Sequence, residues 1–208
     1  MNIRHDIRGN ALVLIMVAIF LIGLLAKNVI EKDLDTNYIA DQAELKAQLA
    51  KIRNHETNLN MATQTVLNNG TDPANIDDII PSEAGFDTSP HAAKIYHPYG
   101  GGVQYIEDYQ GWNDIQINYN TTITNLGPTA GVDIIAVGDV SEELCDALSL
   151  SPATVVTQVA IDALQADTSI TLDDSTTCTA GICDSIDRQC VRNAGGTEFV
   201  FYTLLHAQ

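Results

Sequence analysis

Four cysteines, Cys145, Cys178, Cys183 and Cys190, are the residues of this 208-residue chain whose number and spacing most directly specify chemistry. An even set, all in the later part of the chain, points to two disulfides formed in an oxidising compartment. Four cysteines allow three pairings, and sequence alone does not select one. The short TAGI turn gives a preference for Cys178 with Cys183, which leaves Cys145 for Cys190. Zinc is the rival chemistry, but four and six residues separate the nearer cysteines, with no C-x-x-C pair and no histidine close by. The same missing motif argues against a redox-active thiol pair.

Other reactive residue types do not form a recognisable set. The chain has no G-x-S-x-G, no H-E-x-x-H and no phosphate-cradling loop that ends in Gly-Lys-Ser or Gly-Lys-Thr. Of the five histidines only His91 and His97 flank one loop, and incidental loop histidines are the simpler account of them. Gly100, Gly101 and Gly102 have no Lys or Arg within five residues on either side, so they read as permissive backbone at a turn and not as an anion nest. The aspartates of TDPANIDD and the Asp173–Asp174 pair are incomplete as calcium loops, since neither segment carries the alternating ligands and closing glutamate. No catalytic residue, metal ligand or cofactor is assigned, and no enzyme is expected.

Charge narrows the partners. The formal charge of −17 is uneven: residues 1–53 carry seven Lys or Arg against six Asp or Glu, and residues 54–208 carry three against twenty-one. Nucleic-acid affinity depends on cations that displace condensed counterions, so a body this acidic is not expected to bind nucleic acid.

The cysteines need a scaffold. From Ile95 onward the pattern turns to strands: YHPYGGGVQYIEDY reads as a turn that opens into a strand, DIQINYNTTIT alternates with period two, GVDIIAV reads as a buried strand and EFVFYTLL as a closing one. Ser141, followed by Glu142 and Glu143, marks a helix start at SEELCDAL, and ATVVTQVAIDALQ reads as helical or mixed. Upstream, Tyr38, Leu45, Ile52, Leu59 and Val66 recur at intervals of seven, with no proline before Asn69. Asn68, Asn69 and Gly70 supply the stop, so a helix is expected from about residue 10 to about 68.

Its first part is distinctive. Ala11 to Ala26 is a run of sixteen uncharged, almost wholly apolar residues, among them Leu12, Val13, Leu14, Ile15, Phe20 and Leu25, between Arg4, Arg8 and Lys27. Sixteen residues of helix span about 24 Å, enough for a tilted crossing or a thinned bilayer. No small-x-small cleavage site follows, so retention is expected, and the basic leader places the first residues in the cytoplasm. The heptad stripe is open to two uses, packing onto the protein's own head or onto neighbouring subunits.

A short basic leader, MNIRHDIRG, then an apolar helix that continues as an amphipathic stem, then a β-rich head with late cysteines: this arrangement resembles type IV pilins and the pseudopilins of type II secretion. The chain also resembles uncharacterised bacterial pilin-like proteins with an RGN-hydrophobic leader, a segment like His97 to Gly102 and an ending like FVFYTLLHAQ. The resemblance implies cleavage between Gly9 and Asn10 by a prepilin-type peptidase, with methylation of the new terminus. It also implies contact with like or related pilin subunits through the N-terminal helix. The fifth mature residue, usually glutamate in that family, is Leu14 here, and the tip pseudopilin of type II secretion similarly lacks that glutamate, so the resemblance implies a minor, tip-like or non-assembling relative as readily as a main subunit.

The expected fold is α+β: a long N-terminal helix, with a membrane half and an amphipathic stem, carrying a small β-rich, disulfide-bonded globular head. The expected divisions are a leader at 1–9, a membrane or assembly helix at 10–30, a stem at 31–69 and a head at 70–208. The expected place is the inner membrane, single-pass, with the head in the periplasm or on an extracellular filament. The expected work is structural, as a subunit of an envelope filament or secretion apparatus. The alternative is a single-span, inner-membrane-anchored periplasmic interaction protein that does not polymerise.

Overall fold

A computed structural model of the chain describes residues 41–127, 131–149 and 153–207. The chain divides into two compact units, residues 1–46 and 47–208; in the first, the described residues 41–46 are helical.

Helix α1 covers residues 41–68. It stops in a left-handed glycine: Gly70 has φ +86°, its N–H donates to the Leu67 carbonyl, and the Thr71 N–H donates to the Val66 carbonyl. That pair of bonds is a Schellman cap, and it satisfies carbonyls the helix end leaves open. Within the larger unit the stripe at seven-residue spacing is fully consumed by the core, with Ile52, Leu59 and Val66 each 0% exposed.

The rest of that unit is one eight-stranded mixed sheet. Strands β1 (Asp108–Tyr109), β2 (Trp112–Ile123), β3 (Asp133–Asp139), β4 (Thr154–Val156), β5 (Ile170–Leu172), β6 (Cys178–Ala180), β7 (Arg188–Asn193) and β8 (Phe199–His206) follow in chain order. In space the order is β1-β2-β3-β8-β7-β4-β6, with β5 paired alongside β2. The β4–β7 and β2–β5 pairs are parallel and the others antiparallel.

Side-chain alternation gives the sheet two buried faces. On one, Ile135 and Val137 of β3, Val191 of β7, and Val200 and Tyr202 of β8 pack with Ala160, Ile161 and Leu164 of helix α3 (Gln158–Gln165). On the other, Trp112 meets Phe201 edge to face at 5.1 Å, and His55 of α1 stacks on Tyr109 at 4.3 Å. Asn60 and Gln64 of α1 also donate to the Leu205 carbonyl at 3.2 Å. Helix α2 (Glu142–Leu148) is anchored to this second face through Cys145. Only a glycine serves at position 138, because a Cβ there would lie 2.6 Å from both the Asn113 carbonyl oxygen and Trp112 Nε1.

Strand β2 is unusual along its free side. β1 pairs with Trp112 and Asn113, and β5 pairs with Thr121 to Ile123, while register shifts mark the stretch between. There the Ile117 N–H donates to the Asp78 carboxylate at 3.0 Å, and the Tyr119 N–H to Asp167 at 3.1 Å. Two carboxylates thus stand where a neighbouring strand would.

The expected small head on a membrane-and-stem helix is corrected. The second part of α1 belongs to the core of the body, and the body is a large mixed sheet with helices on both faces. The expected single-pass inner-membrane placement is corrected too: among the described residues no helix is long and apolar enough to cross a membrane. Ala11, Leu12, Val13, Leu14, Ile15, Phe20 and Leu25 lie outside the described residues, as do Gly9 and Asn10.

Candidate functional site

The cysteines form two bridges. Ser141 caps α2 by accepting the Leu144 N–H at 3.2 Å, with Glu142 and Glu143 in the favoured acidic first turn. The helix so fixed sets Cys145 5.4 Å, Cα to Cα, from Cys190 in the middle of β7, and both are buried. This bridge pins α2 to the sheet. The second joins Cys178 of β6 to Cys183 across the turn at Gly181, with Cα atoms 6.2 Å apart.

The acidic residues around that second bridge serve the backbone. Asp173 accepts from the N–H groups of Ser175 and Thr176 at 2.7 and 2.5 Å and from the Thr176 hydroxyl at 2.7 Å. Those bonds, the Thr176 hydroxyl foremost, hold its carboxyl well below the usual carboxylate range. Asp174 accepts from the Cys183 and Asp184 N–H groups at 2.6 and 3.1 Å. In TDPANIDD, Asp72 caps Ala74, Asp77 accepts from Ile79 and Asp78 reaches β2. Among the described residues no group of three His, Cys, Asp or Glu side chains is arranged to hold a metal ion.

The loop between the first 3₁₀ turn (Pro73–Asn75) and β1 brings the two loop histidines together. The His91 and His97 rings stack at 4.2 Å with 9° between their planes, and Phe86 and Tyr99 complete an aromatic cluster around His97. The Tyr99 N–H donates to His97 Nδ1 at 3.2 Å, so the proton of a neutral ring sits on Nε2, 3.8 Å from the exposed Asp87 carboxylate. Burial, then the His91 charge, hold the His97 imidazole below its usual value against the pull of Asp87. With its Nδ1 already accepting from Tyr99 and its ring covered by His91, His97 has only Nε2 left to offer as an acid or base.

Lys94 organises this loop. Its side chain is 2% exposed, and Nζ donates to the carbonyls of Gly85, Phe86 and Thr88 at 2.5, 2.8 and 2.5 Å. An ammonium has three protons and each finds an acceptor. The glycine run closes the loop from the other side. A Cβ at Gly101 would lie 2.5 Å from the Ile95 carbonyl oxygen and 2.8 Å from Ala62 Cβ on α1, and one at Gly100 would collide with the Lys94 carbonyl. Gly100 and Gly101 are there for close approach, and Gly102 for its left-handed backbone at φ +73°.

Two arginines carry features that sequence reasoning passed over. Arg188 of β7 sets Nε 3.1 Å from both carboxylate oxygens of Glu56, lays its guanidinium 4.9 Å over the Phe201 ring and donates from Nη1 to the Leu148 carbonyl at 3.0 Å. Arg192, two positions past Cys190, lines a cavity with Arg188. The only hint in the sequence was scarcity, since Lys94, Arg188 and Arg192 are the three cations after residue 53.

Compared with protein-family models, with curated proteins and with solved structures, the chain matches none.

Proposed function

We propose that the chain is a pilin-like structural subunit, of minor or tip type, of an envelope filament or secretion apparatus, processed after Gly9 by a prepilin-type peptidase. The observation that carries the proposal is the use made of α1. Its stripe from Ile52 to Val66 is consumed by the protein's own core; on this reading contact with neighbouring subunits falls to the apolar run Ala11 to Ala26, which lies outside the described residues. The two bridges suit such a role, because they tie helix α2 and the late strands into one body that resists shear. On this reading the work is mechanical, and no side-chain cluster is asked to do catalysis.

The test is intact mass spectrometry of the unreduced protein from its native host, with sequencing of its N-terminus. A chain that begins at Asn10, methylated there and lighter by the four hydrogens of two disulfides, supports the proposal. A chain that begins at Met1 overturns it.

A further inference from the structure

His97 holds the turn that follows it through one ring nitrogen and its own carbonyl. The Tyr99 N–H donates to Nδ1 at 3.2 Å, and the Gly100 and Gly102 N–H groups donate to the His97 carbonyl at 2.9 and 3.0 Å. The side chain is buried, with the His91 ring stacked on it at 4.2 Å and the Phe86 ring at 5.0 Å. The turn so held presents Tyr99, which is 79% exposed, and seats Gly101 close to Ala62 of α1.

An imidazole accepts a hydrogen bond only while one of its nitrogens is bare. In the neutral ring that nitrogen is Nδ1, and the proton on Nε2 faces the Asp87 carboxylate at 3.8 Å. A second proton has only Nδ1 to go to, where it would point at the Tyr99 N–H, donor against donor. Turning the ring over gives no relief, because both nitrogens of an imidazolium donate and its carbons do not accept. The neighbours do not rescue the charged ring either. Besides Asp87, the titratable or charged groups around His97 are His91, Lys94 and the Tyr99 phenol. The charge of His91 and the Lys94 ammonium oppose a proton on His97. Asp87 favours one, but from a side chain that is 93% exposed, where water screens it, and on the Nε2 side, where it leaves the clash at Nδ1 untouched.

We propose that His97 is a proton-operated latch, closed by the neutral ring through the Tyr99 N–H and released when the ring takes its second proton, so that acid frees the surface turn from Tyr99 to Gly102. The sign follows from linkage. In the closed turn the proton is disfavoured, whereas in the open turn the ring meets water and regains its ordinary value of about 6.5. The proton therefore binds the open form better, and the closed form, fully favoured above that value, is lost progressively as pH falls below it. Nothing in this latch depends on the filament reading.

The experiment measures amide hydrogen exchange of the full chain at neutral and mildly acidic pH, corrected for the pH dependence of the intrinsic rate, and follows the His97 ring and the Tyr99 amide by NMR. Between about pH 7 and about pH 5 the peptide over residues 97–103 is expected to lose protection roughly tenfold while strand β8 keeps its own. The Tyr99 amide signal is expected to move with the same midpoint as the His97 ring. His97→Asn separates the latch from general loosening in acid, because the asparagine oxygen can accept the N–H two residues on and does not titrate. That variant, checked for its fold by Trp112 fluorescence, is expected to keep its protection in acid. Undiminished protection of wild type in acid, a Tyr99 signal that does not follow the His97 ring, or the same loss of protection in a folded His97→Asn each overturns the proposal.

Discussion

Glu56 on α1 and Arg188 on β7 meet across 132 residues of sequence, with the arginine Nε equidistant, at 3.1 Å, from both carboxylate oxygens. The pair ties the helix to the sheet. Burial, the largest influence, raises the Glu56 carboxyl above its usual value, and Arg188 pulls it back by charge and hydrogen bond. Glu56→Gln leaves the guanidinium with one good partner fewer in a mostly buried place. Because neither side chain is wholly buried, the expected loss is about 1–3 kcal/mol, below the roughly 3–5 seen when a fully buried pair is broken. Urea midpoints of wild type and variant measure it; equal midpoints would show that α1 is held by its apolar stripe alone.

Gly138→Ala is expected to cost about 1–3 kcal/mol by overpacking, because the new methyl meets a backbone oxygen as well as the indole. Trp112 is the single tryptophan, so its emission reports the site directly. A lower melting temperature together with a red-shifted emission is the expected outcome, and an unchanged spectrum would mean that β3 shifts without cost.

The two bridges should differ in worth. Cys145–Cys190 closes a separation of 45 residues and Cys178–Cys183 one of 5. On the chain-entropy account these correspond to about 4 and about 2 kcal/mol. Paired Cys→Ala replacement of the first bridge is therefore expected to lower stability about twice as much as replacement of the second, read by denaturant melts. The reverse order would mean that the turn at Gly181 depends on its bridge more than chain entropy allows.

Asp78 gives a pH signature. Burial, ahead of the neighbouring Asp167 and Asp77 charges, raises its carboxyl above the usual value despite the Ile117 N–H bond. A raised native value means that the folded state takes up the proton before the unfolded one. Stability from this group therefore grows as pH falls from 7 towards about 4, near the unfolded aspartate value. Asp78→Asn removes that dependence. The melting-temperature difference, wild type minus variant, is expected to move in favour of wild type between pH 7 and pH 4.5, and a constant difference would contradict the assignment.

Local signals in the sequence were legible where a short segment settles its own structure. Ser141 with two glutamates starts a helix, Gly70 ends one, and the alternation in DIQINYNTTIT falls on β2 in all but its last residue, Thr124. ATVVTQVAIDALQ was ambiguous because Thr157 caps α3 inside it, so the segment holds a strand and then a helix. The size and order of the sheet were not legible. The parallel β4–β7 pair, and the Asp78 and Asp167 caps that reach β2 from 39 and 48 residues away, depend on partners no local pattern announces. The histidine stack and the arginine cavity were hidden for the same reason. The membrane half of the helix rested on hydropathy alone, and hydropathy does not describe what lies against a helix.

The scarcity of cations after residue 53, three against twenty-one carboxylates, has a consequence at long range. Lys94 is enclosed by carbonyls, Arg188 faces Glu56 and Arg192 lines a cavity, so an approaching molecule meets a field made almost wholly by carboxylates. Two copies of this body repel each other at low ionic strength, and their encounter speeds up as added salt shortens the screening length from about 10 Å at 0.1 M to about 3 Å at 1 M. A cationic partner shows the opposite trend, arriving fastest in dilute buffer and slowing as salt is added. The sign of the salt dependence of association therefore separates self-assembly from capture of a basic partner before any interface has been located.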